Sequence, residues 1–172
     1  MGTGRDHGPV TAALPFFVYG TLRPGERNHG LFLAGRTTRE RPATLHGALL
    51  YEGPGYPYAV ADPSGTGSVT GTVVTAAPEE YAALLRTLDG LEEYLAPGHP
   101  RNLYERLARE VVGEDGSPLR AWVYVAAAGV ARELAADGVL IAGGDWSGRT
   151  RRPARGTGSA VRAPRSRAVG AG

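Results

Sequence analysis

A chain of 172 residues with 42% hydrophobic side chains is long enough for one cored domain and short for two. It has no cysteine, which excludes a disulfide framework and a thiolate nucleophile and fits a reducing, cytoplasmic location. The formal charge of +2 hides a split. All 19 basic residues are arginine, and seven of them follow Gly148, beyond the last carboxylate at Asp145, so residues 149–172 carry +7 and residues 1–148 carry −5.

Residues 1–13 read as a flexible lead. Arg5, Asp6 and His7 have no apolar stretch behind them, so a signal peptide is not expected. Met1-Gly2 lacks the Ser or Thr at position 6 that myristoylation needs; Asp6 stands there. No apolar run is long enough to span a bilayer, so no membrane partner is expected. Leu14 to Tyr19 is apolar and β-prone and is stopped by Gly20, which predicts a first strand. Asn28 to Leu33 reads as a short helix with Asn28 near its N-cap. Leu45–Tyr51 and Val69–Thr75 read as strands with glycine bends. Ala77–Leu91 has Pro78 and Glu79 at its start and Tyr81, Leu84, Leu85, Leu88 and Leu91 at helical spacing. Tyr104–Val112 and Leu119–Ala126 flank Gly113 to Pro118, a hairpin signal with Asp115-Gly116 at its tip.

From 148 to 172 the chain is Arg, Pro, Gly, Ser and Ala with few large apolar groups. Such a segment buries too little surface to offset its ordering entropy, and it reads as a disordered tail. Arginine clusters bind phosphates, but no aromatic is interleaved for base stacking; a solvated tail is the simpler reading. The acidic body argues against nucleic acid as a partner of the domain. That domain, residues 14–147, reads as α+β on a curved or closed sheet, without regular β-α-β alternation. The oligomeric state is not legible.

Two segments can carry chemistry. In Val18-Tyr-Gly-Thr-Leu-Arg-Pro-Gly25 a strand ends at Gly20 and turns sharply. Glycine lets backbone approach a ligand, and successive N–H groups in such a turn can hold an anion. Taken by itself the segment reads more simply as an ordinary strand exit punctuated by Pro24-Gly25. It is not a phosphate-binding P-loop, because the Gly-Lys-Ser/Thr ending is missing. Leu88-Asp-Gly-Leu-Glu-Glu-Tyr94 puts three carboxylates at a helix end. Acids are mildly unfavourable there, so the helix is expected to stop by Asp89-Gly90 and leave Glu92 on a loop. Beside Leu91 and Tyr94, a partly desolvated Glu92 would have a raised pKa and suit proton transfer near neutrality. A solvated helix end is the plain alternative. His29, His46 and His99 lack metal-ligand spacing, and Ser64 and Ser68 lack a nucleophile elbow. Tyr104 and Arg106 alternate on a strand, where Tyr104 suits a core position and Arg106 pairing with an acid.

Taken in order, these blocks resemble the gamma-glutamylcyclotransferase-like, or AIG2-like, family. Tyr19-Gly-Thr-Leu-Arg-Pro-Gly25 is similar to its ligand-binding loop, and Asn28-His29 with Leu31 to a common continuation. Gly55-Tyr-Pro57 resembles its middle block, and Leu88-Asp-x-x-Glu92 the segment holding its catalytic glutamate. Tyr104-x-Arg106, Ala121-Trp-Val-Tyr124 and Gly144-Asp-Trp146 follow as its later blocks. The resemblance covers about residues 14–147. It departs at Glu93, where many members carry glycine, and the Leu95–Leu103 stretch is an insertion near the pocket mouth.

The resemblance implies a small β-barrel with flanking helices and a metal- and cofactor-independent enzyme. The implied substrate is a small-molecule γ-glutamyl amide, whose own α-amine closes a ring to release 5-oxoproline and a free amine. It implies Glu92 as catalytic acid/base, and Tyr19, Gly20, Thr21, Leu22, Tyr56 and Tyr104 as substrate-binding residues. A non-catalytic binding module of the same fold is the competing expectation; it would show a paired Glu92 and no cavity.

Overall fold

The computed structural model describes residues 13–146; the predicted N-terminal lead up to residue 12 and the arginine-rich segment from 147 lie outside the described residues. Seven strands form in chain order: β1 (Phe16–Val18), β2 (Thr37–His46), β3 (Ala48–Glu52), β4 (Pro57–Ala61), β5 (Ser68–Ala76), β6 (Tyr104–Gly113) and β7 (Pro118–Ala126). Two helices accompany them, α1 (Tyr81–Leu91) and α2 (Ala128–Asp137), with a short π-helical turn at His29–Leu33.

Five strands close into a barrel in the order β1-β5-β2-β6-β7. All pairings are antiparallel except the closing one, in which β1 lies parallel to β7 with Phe16 opposite Trp122 and Phe17 opposite Val123. Closure leaves this sheet without a free edge. β3 and β4 form a separate hairpin, Ala48 opposite Ala61 and Glu52 opposite Pro57.

The short β1 shows how strand alternation builds the core. Phe16 and Val18 join one apolar cluster with Leu33, Val74, Leu84, Leu88 and Tyr124. Phe17 and Tyr19 point the other way, into a cluster with Leu45, Val69, Val73, Val111 and Val123. Helix α1 presents Leu84 and Leu88, both fully buried, to the first cluster. Gly71, inside β5, lies close against β1: a Cβ there would stand 2.5 Å from the Val18 carbonyl oxygen.

Several predicted elements shift. The strand expected at Leu45–Tyr51 is the end of β2 and most of β3, divided at Gly47, whose φ of 74° turns the chain. The helix expected from Ala77 begins at Tyr81, after a turn in which the Glu80 N–H donates to the Ala77 carbonyl. Its other end also differs: α1 does not stop by Asp89-Gly90 but runs through both to Leu91. The hairpin at Asp115-Gly116 forms as read, with the Gly116 N–H donating to the Gly113 carbonyl. Among the described residues no helix is long and apolar enough to cross a membrane.

Candidate active site

A pocket of about 290 Å³ opens beside the end of β1. Glu92 and all six predicted substrate-binding residues, Tyr19, Gly20, Thr21, Leu22, Tyr56 and Tyr104, line it. Chain regions far apart in sequence meet there: the exit of β1, the start of β4 with the loop before it, the C-terminus of α1, Leu103 and Tyr104 at the start of β6, and Tyr124 on β7.

The exit of β1 is a compact turn. The Arg23 N–H donates to the Gly20 carbonyl (3.1 Å) and the Asn28 N–H to the Thr21 carbonyl (2.9 Å). The Asn28 side chain ties the same turn by donating from Nδ2 to Thr21 Oγ1 at 2.8 Å. Among the described residues, none of the N–H groups of Gly20, Thr21 and Leu22 donates to a bond of this turn. Gly20 is required by proximity: a Cβ there would lie 2.7 Å from Pro57 Cδ and 2.9 Å from Cγ. The glycine lets the turn seat against the first residue of β4.

The end of α1 disposes of its three carboxylates in three ways. Asp89 faces away from solvent into a polar network. It accepts from the Tyr124 hydroxyl at 2.7 Å and pairs with Arg106 Nε at 3.2 Å. The Arg106 guanidinium stacks on Trp122, 4.6 Å from the ring centroid, and stands 5.3 Å from that of Tyr94. Arg106 thus has the acidic partner its position suggested.

Glu92 is the C-cap of α1. Its N–H donates to the Leu88 carbonyl at 2.9 Å, while its half-buried side chain lines the pocket. Glu93 follows with φ of 49°, the one non-glycine positive φ among the described residues. Its N–H donates to the Gly90 carbonyl, and the Tyr94 N–H to the Asp89 carbonyl. That pair of bonds is a Schellman ending, with Glu93 at the left-handed position that glycine normally fills. The exposed Glu93 also lines the pocket and so sits at its mouth.

Tyrosines set the environment of Glu92. The Tyr19 hydroxyl donates to the Tyr124 carbonyl and accepts from the Ala59 N–H. Tyr104 donates to the Pro57 carbonyl at 2.8 Å, and its ring stacks on Tyr58 with centroids 4.7 Å apart. Burial pushes the phenols of Tyr19, Tyr58, Tyr104 and Tyr124 up, and the charge of Glu92 adds to each. They stay neutral, and those of Tyr19, Tyr104 and Tyr124 donate elsewhere. Among the described residues no side-chain hydrogen bond or ion pair reaches the Glu92 carboxylate. Burial without compensation pushes its pKa up to about 7.

Sequence reasoning did not single out Arg27, Pro57, Leu103 or Tyr124 as lining residues, although all four line the pocket. Arg27 Nη2 donates to the Gly55 carbonyl at 2.9 Å. Its role depends on a loop 28 residues away, and no local pattern signals that. Asn28 was legible as part of a block but not as the clamp on Thr21.

A family model described as gamma-glutamyl cyclotransferase, AIG2-like, matches residues 16–148. The chain is 38% identical over 109 residues to a gamma-L-glutamyl-butirosin B gamma-glutamyl cyclotransferase from Niallia circulans, covering 63% of this chain and 64% of that protein. Among solved structures it is similar to YkqA from Bacillus subtilis, with a TM-score of 0.57 and 24% identity over 80% of this chain and 40% of that one. It is also similar to At3g28950.1 from Arabidopsis thaliana, with a TM-score of 0.50 and 30% identity over 66% and 62%. The matched span runs from β1 through the last strand and past α2, the part of the chain that builds the barrel and the pocket, and the chain belongs to the gamma-glutamyl cyclotransferase, AIG2-like family.

Proposed function

We propose that the chain cyclises a γ-glutamyl amide, releasing 5-oxoproline and a free amine, with Glu92 carrying the proton. One observation supports this above the others: an acid with a pKa of about 7 and no partner among the described residues, facing a pocket. A group poised there is ionised enough near neutral pH to take a proton and acidic enough to return it. A binding module has no need of an uncompensated carboxylate, and would be expected to pair it.

The reaction needs no nucleophile from the protein. The substrate's α-amine nitrogen bonds to its own side-chain carbonyl carbon, forming a five-membered tetrahedral intermediate. Glu92 accepts the proton that this nitrogen sheds. It then delivers that proton to the leaving nitrogen as the old C–N bond breaks. Atoms balance without water: one amide is consumed, and a lactam and an amine appear. The enzyme's part is to fold the substrate so that the amine meets the carbonyl. The unengaged N–H groups of Gly20, Thr21 and Leu22 are the donors proposed for the substrate carboxylate or the developing oxyanion. Tyr56 and the ring of Tyr104 wall the pocket beside them.

The test is release of 5-oxoproline from a panel of γ-glutamyl amides by the wild type and Glu92→Gln. Turnover of at least one amide by the wild type, and its loss in the variant, is expected. A folded wild type that binds amides without turning any over would return the protein to the binding-module reading. Equal turnover by the Gln variant would remove Glu92 from the mechanism.

A further inference from the structure

Asn28 stands at the N-cap of the His29–Leu33 turn, where an asparagine side chain ordinarily accepts from the first N–H groups of the helix. It makes no such bond. Its amide is turned back on the exit of β1 instead, and Nδ2 donates to Thr21 Oγ1 at 2.8 Å. The Asn28 N–H donates to the carbonyl of the same residue, Thr21, at 2.9 Å. One residue thus holds another by main chain and side chain at once.

Burial alone does not account for this pair. Thr21 is buried, and its hydroxyl needs a partner there. Valine has the same shape and no such need, and replacing both members of a buried hydrogen bond by apolar groups is close to neutral. What the pair adds is direction. In a planar trans peptide the carbonyl and the N–H that follows it point opposite ways. The Arg23 N–H on the Gly20 carbonyl therefore sets the line of the Thr21 N–H, and the Asn28 N–H on the Thr21 carbonyl sets that of the Leu22 N–H. Each is a single bond about which a peptide plane can rock. The Asn28 amide on Oγ1 is a further tie on Thr21, the residue between those two planes, and it restrains both. Gly20, Thr21, Leu22 and Asn28 all line the pocket that Glu92 faces.

We infer that Asn28 is a positioning residue for the cyclisation: its side-chain amide acts through the Thr21 hydroxyl to aim the Thr21 and Leu22 N–H groups at the substrate. The inference rests on the cyclisation reading and adds to it a residue that works at one remove from the reacting atoms. Letting those donors drift by a fraction of an ångström is expected to cost about tenfold in kcat/KM.

The test measures kcat and KM with one accepted γ-glutamyl amide for the wild type, Asn28→Ala, Thr21→Val and the double variant, with urea unfolding of each in parallel. The double variant leaves neither member of the pair without its partner, so it is expected to fold even where a single variant is unstable. Each single variant is expected to lose about tenfold in kcat/KM, and the double variant about tenfold as well rather than about a hundredfold, because the second change removes nothing further. Thr21→Ser keeps Oγ1 and is expected to lose less than Thr21→Val. A loss carried by KM assigns the N–H groups to the substrate carboxylate, and one carried by kcat assigns them to the oxyanion; either supports the inference. A clamp that served the fold alone would lower the urea midpoint and leave kcat/KM of the folded protein as in the wild type. That result overturns the inference, as do losses that multiply in the double variant, and both leave the cyclisation reading standing. A wild type that turns over no amide of the panel overturns the two together.

Discussion

Glu92→Gln is expected to abolish turnover and also to change how stability depends on pH. The unfolded chain ionises Glu92 near 4.5, whereas the folded chain holds the proton up to about 7. Below pH 4.5 both states are protonated and the group has no effect. Between 4.5 and 7 the unfolded state has released a proton that the folded state keeps, so stability falls as pH rises. Above 7 both are ionised and the penalty is complete. The shift from 4.5 to about 7 corresponds to a ceiling of about 3 kcal/mol. Glutamine has nearly the same shape and does not titrate. The variant should therefore gain stability relative to the wild type as pH rises from 4.5 to 8, approaching that ceiling, while every other titrating group cancels in the difference. Urea unfolding of both proteins at pH 4.5, 6, 7 and 8 measures it. A difference that stays constant within about 0.5 kcal/mol across the series would show that Glu92 is not desolvated in the folded protein. In the wild type, kcat/KM should rise with pH through about 7 as the carboxylate becomes able to accept a proton.

Gly20→Ala should raise KM, lower kcat or both, and cost about 1–3 kcal/mol of stability, because the new Cβ would stand 2.7 Å from Pro57 Cδ; a folded variant with wild-type kinetics would show that the β1 turn does not shape the site. Glu93→Gly should raise stability by about 1 kcal/mol in urea unfolding by relieving a φ of 49°, and a destabilised glycine variant would count against the strain. Deleting residues 149–172 should leave both melting temperature and turnover as they are, since the segment carries seven arginines and few large apolar groups; a marked drop in melting temperature would show that it packs on the barrel.

The legible parts of this protein are those set by local pattern. Leu84 and Leu88 at helical spacing gave α1, and Asp115-Gly116 gave the β6–β7 hairpin. The turn at Gly20 was readable because glycine before a break has few other uses. Three elements were missed, each for a physical reason. Most of β2, Thr37 to Thr44, is largely polar and contains Pro42, yet it is held by a long register with β5 that no local signal encodes. β4 opens with Pro57 and reads as the end of a loop, but its residues are buried against β3 and the site. Helix α2 buries only Leu134 and so has almost no apolar stripe. The pocket was legible in its residues but not in its assembly: Tyr56 and Glu92 are 36 positions apart, on the β3–β4 hairpin's loop and the end of α1, and only the tertiary fold brings them to one cavity.

The helix end explains how adjacent carboxylates reach such different surroundings. A helix that continued past Leu91 would carry Glu92 and Glu93 about 100° apart on its surface, both with access to water. Ending the helix with a left-handed residue instead reverses the chain at Glu93, so that the Tyr94 N–H returns to the Asp89 carbonyl. The reversal leaves Glu92 as the last residue before the turn, with its side chain among tyrosines, and puts Glu93 outside. Asp89, one turn earlier on the buried face, is drawn instead to Arg106 and Tyr124, so its charge is paired away from the pocket. The raised pKa of Glu92 thus depends on the helix stopping where it does. It also depends on the Tyr19, Tyr104 and Tyr124 hydroxyls being committed to other acceptors. Glycine would make the same turn with less strain. That this chain makes it with glutamate leaves Glu92 as the C-cap of the helix and adds a second carboxylate at the pocket mouth.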